Sequence, residues 1–169
     1  MTLGEAQRAP EHLERAARLF EEGVWFRWRY YIRLKAELAQ YWLIRGDARQ
    51  AGRYAAESLE QARPRRARKH MAWAHKLLGD VATAEERFSD ARGEYERALA
   101  VLARHRCPVI EWKILLGAAG MASAYRDAPL AERYRGQCRS VIEELAASLS
   151  DEKLRRQFLG SRAIRTALV

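Results

Sequence analysis

The sequence predicts an all-α protein, an antiparallel helix-pair solenoid of about three repeats with capping helices at both ends. Three observations predict it. Ala, Leu, Glu and Arg dominate the 169 residues, with only 10 Gly and 4 Pro, a composition that favours helices over tight β-turns. Small residues recur every 40 positions: Leu38-Ala39, Leu78-Gly79 and Ala118-Ala119; then Ala51, Ala91 and Ala131; then Ser58, Ala98 and Cys138. Between these marks the apolar residues follow the helical period, as in Ala131, Tyr134, Cys138, Val141, Ile142 and Leu145.

Each element has its own reason. Residues 10–23 form an amphipathic N-terminal helix through Leu13, Ala16, Ala17, Leu19 and Phe20, stopped at Gly23. Helices follow at about 27–45 and 48–63, 68–86 and 88–105, and 108–125 and 128–147, so the repeats run 27–63, 68–105 and 108–147. Within each repeat the first helix ends near a Gly-Asp-like pair: Gly46-Asp47, Glu86-Arg87 and Arg126-Asp127. Small residues at the crossing let the two backbones approach, and Tyr54, Tyr95 and Tyr134 fill the gap, Tyr95 displaced by one position. Pro64 and Pro108 suit the turns between repeats. A C-terminal cap spans 151–168, with Ser150 N-capping a helix that carries Leu154 and Phe158, and Ser161 starting one that carries Ile164 and Leu168. The whole, residues 1–169, reads as one helical-repeat domain.

These residues resemble the tetratricopeptide repeat. Leu38-Ala39, Trp42, Gly46-Asp47, Ala51, Tyr54, Ser58 and Leu59 look like one unit. Leu78-Gly79, Ala82, Ala91, Tyr95, Ala98 and Leu99 look like a second, and Ala118-Ala119, Ala122, Asp127, Ala131 and Tyr134 like a third. The usual unit has about 34 residues. A spacing of 40 is similar to the longer-helix variety found at the C-terminal ends of large bacterial signalling proteins, such as maltose-regulator-like transcription factors and ATPase-cyclase fusions. The resemblance implies a platform for partners and is nearly silent on which partner.

Composition excludes several classes. The two cysteines, Cys107 and Cys138, are too few for a secreted disulfide framework. No apolar segment follows Met1, and the longest apolar stretch, residues 114–122, falls far short of the roughly 20 residues that span a bilayer. A cytoplasmic protein without membrane contact is expected. The excess of 31 Lys+Arg over 22 Asp+Glu gives +9, read here as spread along the chain. Because 26 of the 31 bases are Arg, a bias that genomic base composition also produces, nucleic acid is the least favoured partner.

Catalysis and metal binding find no motif. A phosphate-cradling glycine loop, a nucleophile elbow and a dinucleotide fingerprint are all missing, and Glu85-Glu86 and Glu143-Glu144 read as solvated helix surface. His12, His70, His75, His105 and Cys107 have no ligand spacing, and Cys138 falls at a small core position. No enzyme, metal or cofactor is expected. The segment from Trp25 to Arg33 interleaves aromatic and basic residues. It reads first as a helix buried on several faces, with Trp25, Trp28 and Tyr31 as an alternative homodimer surface and nucleic acid a minor third. The basic run Arg63 to His70 reads first as a solvated turn leading into a helix, with binding of a phosphate or an acidic partner as the alternative.

The expected function is non-catalytic binding of a protein or peptide on the concave face. The resemblance implies that the first helix of each repeat lines that face. The inward positions become Arg33, Ala36, Glu37, Gln40 and Leu43, then Trp73, Lys76, Leu77, Asp80 and Thr83, then Lys113, Leu116, Gly117, Gly120 and Ser123. Family members that clamp a peptide's terminal carboxylate use Lys, Asn, Asn and Arg where Ala36, Gln40, Leu77 and Gly117 stand; only Lys113 agrees, so that activity is not carried over. Each glycine inside a helix costs about 1 kcal/mol relative to Ala. Gly117 and Gly120 therefore imply either a close helix contact or a groove deepened opposite Trp73, with helix packing the favoured account.

Overall fold

A computed structural model describes residues 11–13, 15, 16, 18 and 27–168. Eight helices can be bounded among them: α1 (Arg27–Ile44), α2 (Ala48–Ala62), α3 (Arg68–Ala84), α4 (Phe88–Leu102), α5 (Pro108–Ala124), α6 (Ala128–Ser148), α7 (Glu152–Gly160) and α8 (Arg162–Leu168). Each of the six repeat helices matches its expected span to within three residues. The expected N-terminal helix over 10–23 lies mostly outside the described residues, as does Trp25; the described positions from 11 to 18 are helical.

The turn inside each repeat is the same device three times over. Gly46, Glu86 and Arg126 all take the left-handed conformation, with φ of 77°, 58° and 61°. In the first, Gly46 N–H donates to the Leu43 carbonyl at 3.0 Å and Asp47 N–H to the Trp42 carbonyl at 2.9 Å; the corresponding pairs close the other two turns. This arrangement satisfies the last carbonyls of the helix and stops it. It ends α3 at Ala84, two residues before the sequence placed the end. Asp47 and Asp127 then cap the next helix, their carboxylates accepting from Gln50 N–H at 2.9 Å and Leu130 N–H at 3.0 Å. Arg87, at the same place in the second repeat, makes no such cap and instead pairs with Glu85 and Asp90.

The helices stack as pairs, α1 with α2, α3 with α4 and α5 with α6, each second helix packing on the next first helix. Helices α1, α3 and α5 also touch one another in series, whereas α2, α4 and α6 have no comparable mutual contact, so the first helices line the inside of the curve. The 40-residue period is visible in the core. Ala51, Ala91 and Ala131 are all buried, and so are Ala39 and Ala119 with Gly79 between them. Ser58 donates to the Ile32 carbonyl at 3.1 Å, and Cys138 to the Trp112 carbonyl at 3.3 Å; the equivalent pair of the middle repeat is Ala98 and Ala72, both fully buried. Cys138 is thus a small core side chain, its thiol pKa pushed up by burial to about 11.

The C-terminal cap differs in detail from expectation. Asp151, not Ser150, caps α7, accepting from Lys153 N–H at 2.7 Å and Leu154 N–H at 3.2 Å, because a carboxylate is the stronger acceptor for the first free amides. Leu154 faces outward and is 52% exposed, whereas the expected Phe158, Ile164 and Leu168 pack on the core together with Ala167. Among the described residues no helix is long and apolar enough to cross a membrane.

Candidate functional site

Facing helices α1, α3 and α5 enclose an open cavity of about 730 Å³ on the inner face. Arg33, Ala36, Glu37 and Gln40 come from α1, Lys69, His70, Trp73 and Lys76 from α3, and Val109, Ile110, Trp112, Lys113, Leu116 and Gly117 from α5. A volume in this range suits a few side chains of an extended segment. The repeat register thus brings together Arg33, Glu37, Gln40, Trp73, Lys76, Lys113, Leu116 and Gly117, as the sequence expected.

Six expected positions line no part of the cavity: Leu43, Leu77, Asp80, Thr83, Gly120 and Ser123. Leu43 packs on the core around Leu77, and the Thr83 and Ser123 hydroxyls donate to the Gly79 and Ala119 carbonyls of their own helices. Leu77 is fully buried among Ala36, Ala39 and Ala55, since α3 turns that position toward the preceding pair. Gly120 is exposed, with open space where a Cβ would stand, and lines no part of the cavity. Asp80 is half-buried behind the cavity rather than on its lining: one carboxylate oxygen accepts from Lys76 Nζ at 2.5 Å and the other from the Tyr95 hydroxyl at 2.7 Å. Of the two accounts of the glycines, the favoured one, a close approach from another helix, holds at Gly117, and neither holds at Gly120.

Tyr95 supplies the real reason for Gly117. Its ring, buried to 1% exposure, passes from α4 between Gly79 and Gly117, where an added Cβ would lie 3.0 Å and 2.9 Å from ring carbons. Burial, and then the neighbouring Asp80 carboxylate, push the phenol pKa far above its ordinary value, so Tyr95 stays a neutral donor. The one-position displacement of Tyr95 from the tyrosine register was the visible signal for this wedge. The tyrosine's place in the register is taken by Glu94, which is hydrogen-bonded to His75 Nδ1 at 2.7 Å.

Trp73 is flanked by cations. Lys76 Nζ lies 5.1 Å and Lys113 Nζ 5.5 Å from its ring centroid, and Lys113 is also 5.5 Å from the Trp112 ring. Two indole quadrupoles thus hold the Lys113 ammonium in place. Lys76 has Asp80; Lys113 has no carboxylate within ion-pair distance among the described residues. His70 sits at the same rim, its pKa lowered by burial and then by Lys69, Arg29 and Arg33. By sequence, Lys69 and His70 are assigned to a solvated basic run and not to the concave face, although they precede Trp73 by one helical turn.

The alternative association surface fares differently by residue. Trp28 is half-buried and carries the guanidinium groups of Arg29 and Arg65 at 5.2 Å and 5.8 Å, and Tyr31 carries Lys35 at 5.0 Å. Burial opposes the charge of Lys35, yet Glu57 at 2.6 Å and the Tyr31 hydroxyl hold its pKa above the ordinary value. No group of three or more His, Cys, Asp or Glu is placed to hold a metal ion among the described residues. Comparisons with family models, with curated proteins and with solved structures give no match to this chain.

Proposed function

We propose that the protein is a tetratricopeptide-like, non-catalytic binding module that takes an extended protein or peptide segment along α1, α3 and α5. The observation that carries this reading is Trp73 on the cavity lining, partly buried against the core and bracketed by Lys76 and Lys113. A half-buried indole with fixed polar neighbours is the kind of anchor that contributes most at protein interfaces. The concave placement offers contact from three helices at once.

Selection of peptides from a displayed random library on the intact protein tests the proposal. Selected peptides should lose about tenfold or more in affinity for Trp73→Ala, the size of effect a buried aromatic anchor gives. The variant should keep its helical circular dichroism. A failure to select any peptide, or selected peptides that bind Trp73→Ala equally well, would remove the groove from consideration.

A further inference from the structure

The net charge of this chain is not spread along it, contrary to the first reading of the sequence. Residues 23–36 and 61–79 contain ten Lys and Arg and no Asp or Glu, whereas the remaining 136 residues hold 21 bases against 22 acids. The entire basic excess thus belongs to two segments far apart in sequence, and the fold joins them. Arg65, from the turn before α3, stacks over Trp28 of α1, and Arg29, Arg33 and Lys69 all act on His70. Arg33, Lys69 and His70 in turn border the cavity that holds Trp73 and Lys113. A continuous cationic track therefore runs from Lys113 across α3 to the outer end of α1.

We propose, building on the groove reading, that the bound segment is an acidic peptide: one carboxylate meets Lys113 between the two indoles, and further carboxylates follow the track toward Arg29 and Arg65. Charge complementarity carries this choice. Like charges held together cost stability unless an anion offsets them, and the unpaired Lys113 ammonium is already positioned for a charge-assisted hydrogen bond. A single-stranded nucleic acid would need open ring faces as well as cations. Here Trp28, Tyr31 and Trp73 already carry the protein's own cations. Glu37 in the cavity wall and Asp80 behind it also oppose an unbroken chain of phosphates, whereas a peptide can place neutral residues beside them.

Fluorescence anisotropy on the full chain tests this with three probes: a short labelled peptide of alternating Glu and Gly around one Leu, its Gln-for-Glu counterpart, and an oligothymidylate of equal length. The acidic peptide should bind, weaken with added salt, and lose about tenfold on Lys113→Gln and about threefold on Arg33→Gln with Lys69→Gln. Arg104→Gln with Arg139→Gln, which removes equal charge elsewhere, should change little. Equal binding of the Gln peptide, still sensitive to Trp73→Ala, would overturn the acidic preference and leave the groove standing. Absence of binding by the acidic peptide, or indifference to the groove variants, would overturn the track as a peptide site. Tighter binding of the oligothymidylate, lost with the same variants, would replace the peptide by a polynucleotide.

Discussion

Helix α3 borders two cavities of opposite character. On the inner face, α1, α3 and α5 present Arg33, Lys69, Lys76 and Lys113, with Glu37 the one carboxylate on the lining. On the outer side, a cavity of about 440 Å³ between α2, α3 and α4 has as many cations, Arg49, Arg53, Arg87 and Arg97, but it also holds Glu85, Asp90 and Glu94. There Arg87 pairs with Glu85 and Asp90, and Arg97 with Glu94. Such exposed pairs contribute little stability, about 0–1 kcal/mol each, but with Arg53 paired to Glu57 they leave only Arg49 of the four cations without a carboxylate at ion-pair distance among the described residues. On the inner face Arg33 pairs with Glu37 and Lys76 with Asp80, but Lys69 and Lys113 have no carboxylate at ion-pair distance among the described residues. Surface chemistry of one composition can thus be closed on one side of a solenoid and left receptive on the other.

Tyr95 joins the two sides, and its removal should have the largest effect. It starts from α4 on the outer pair and ends on Asp80 behind the inner cavity, with 1% exposure. Tyr95→Ala should destabilise by about 3–5 kcal/mol in urea unfolding, as truncation of a buried aromatic does. A loss below about 1 kcal/mol would mean that the two sides are held together by other contacts.

A smaller effect separates the two glycines. Gly117→Ala forces a methyl group to 2.9 Å from Tyr95, whose ring is blocked on its far side by Gly79. The overpacking should outweigh the gain in helix propensity and cost about 1 kcal/mol net. Gly120→Ala meets open space and should instead stabilise by up to about 1 kcal/mol. Melting curves that shift in the same direction for both would contradict the close approach at Gly117.

The smallest effect is electrostatic. Burial, then Lys69, Arg29 and Arg33, lower the pKa of His70 in the folded state. Below the unfolded value of about 6.5 the unfolded chain therefore binds more protons, so this group's contribution to stability is present above that pH and declines as pH falls toward the folded pKa. Arg33→Gln should raise the His70 pKa, read from its ring protons by NMR. An unchanged titration would show that the cations of the inner face do not converge there.

Much of the fold was legible in the sequence because it is periodic. Ala51, Ala91 and Ala131 are buried as their spacing predicts, since a repeat places equivalent residues in equivalent surroundings. The helix ends were equally local: the left-handed turn appears at Gly46, where glycine announces it, and again at Glu86 and Arg126, where only the register does. The site was half legible. Trp73, Lys76 and Lys113 follow from the register, whereas Leu77 and Gly120 do not belong to it. A position on a helix face is assigned from one helix, but burial depends on the neighbour that packs there.

By itself, then, the sequence determined the helices, their order and the small-residue seams, because each depends on residues within one or two turns or one repeat length. Only the tertiary structure decided that Gly117 makes room for Tyr95, that Asp80 is engaged by Lys76 and Tyr95 together, and that two acid-free segments form one cationic track. Those outcomes depend on distances between atoms that the chain separates by tens of residues. Coulomb and packing energies act on such distances in space, and no spacing along the sequence encodes them directly.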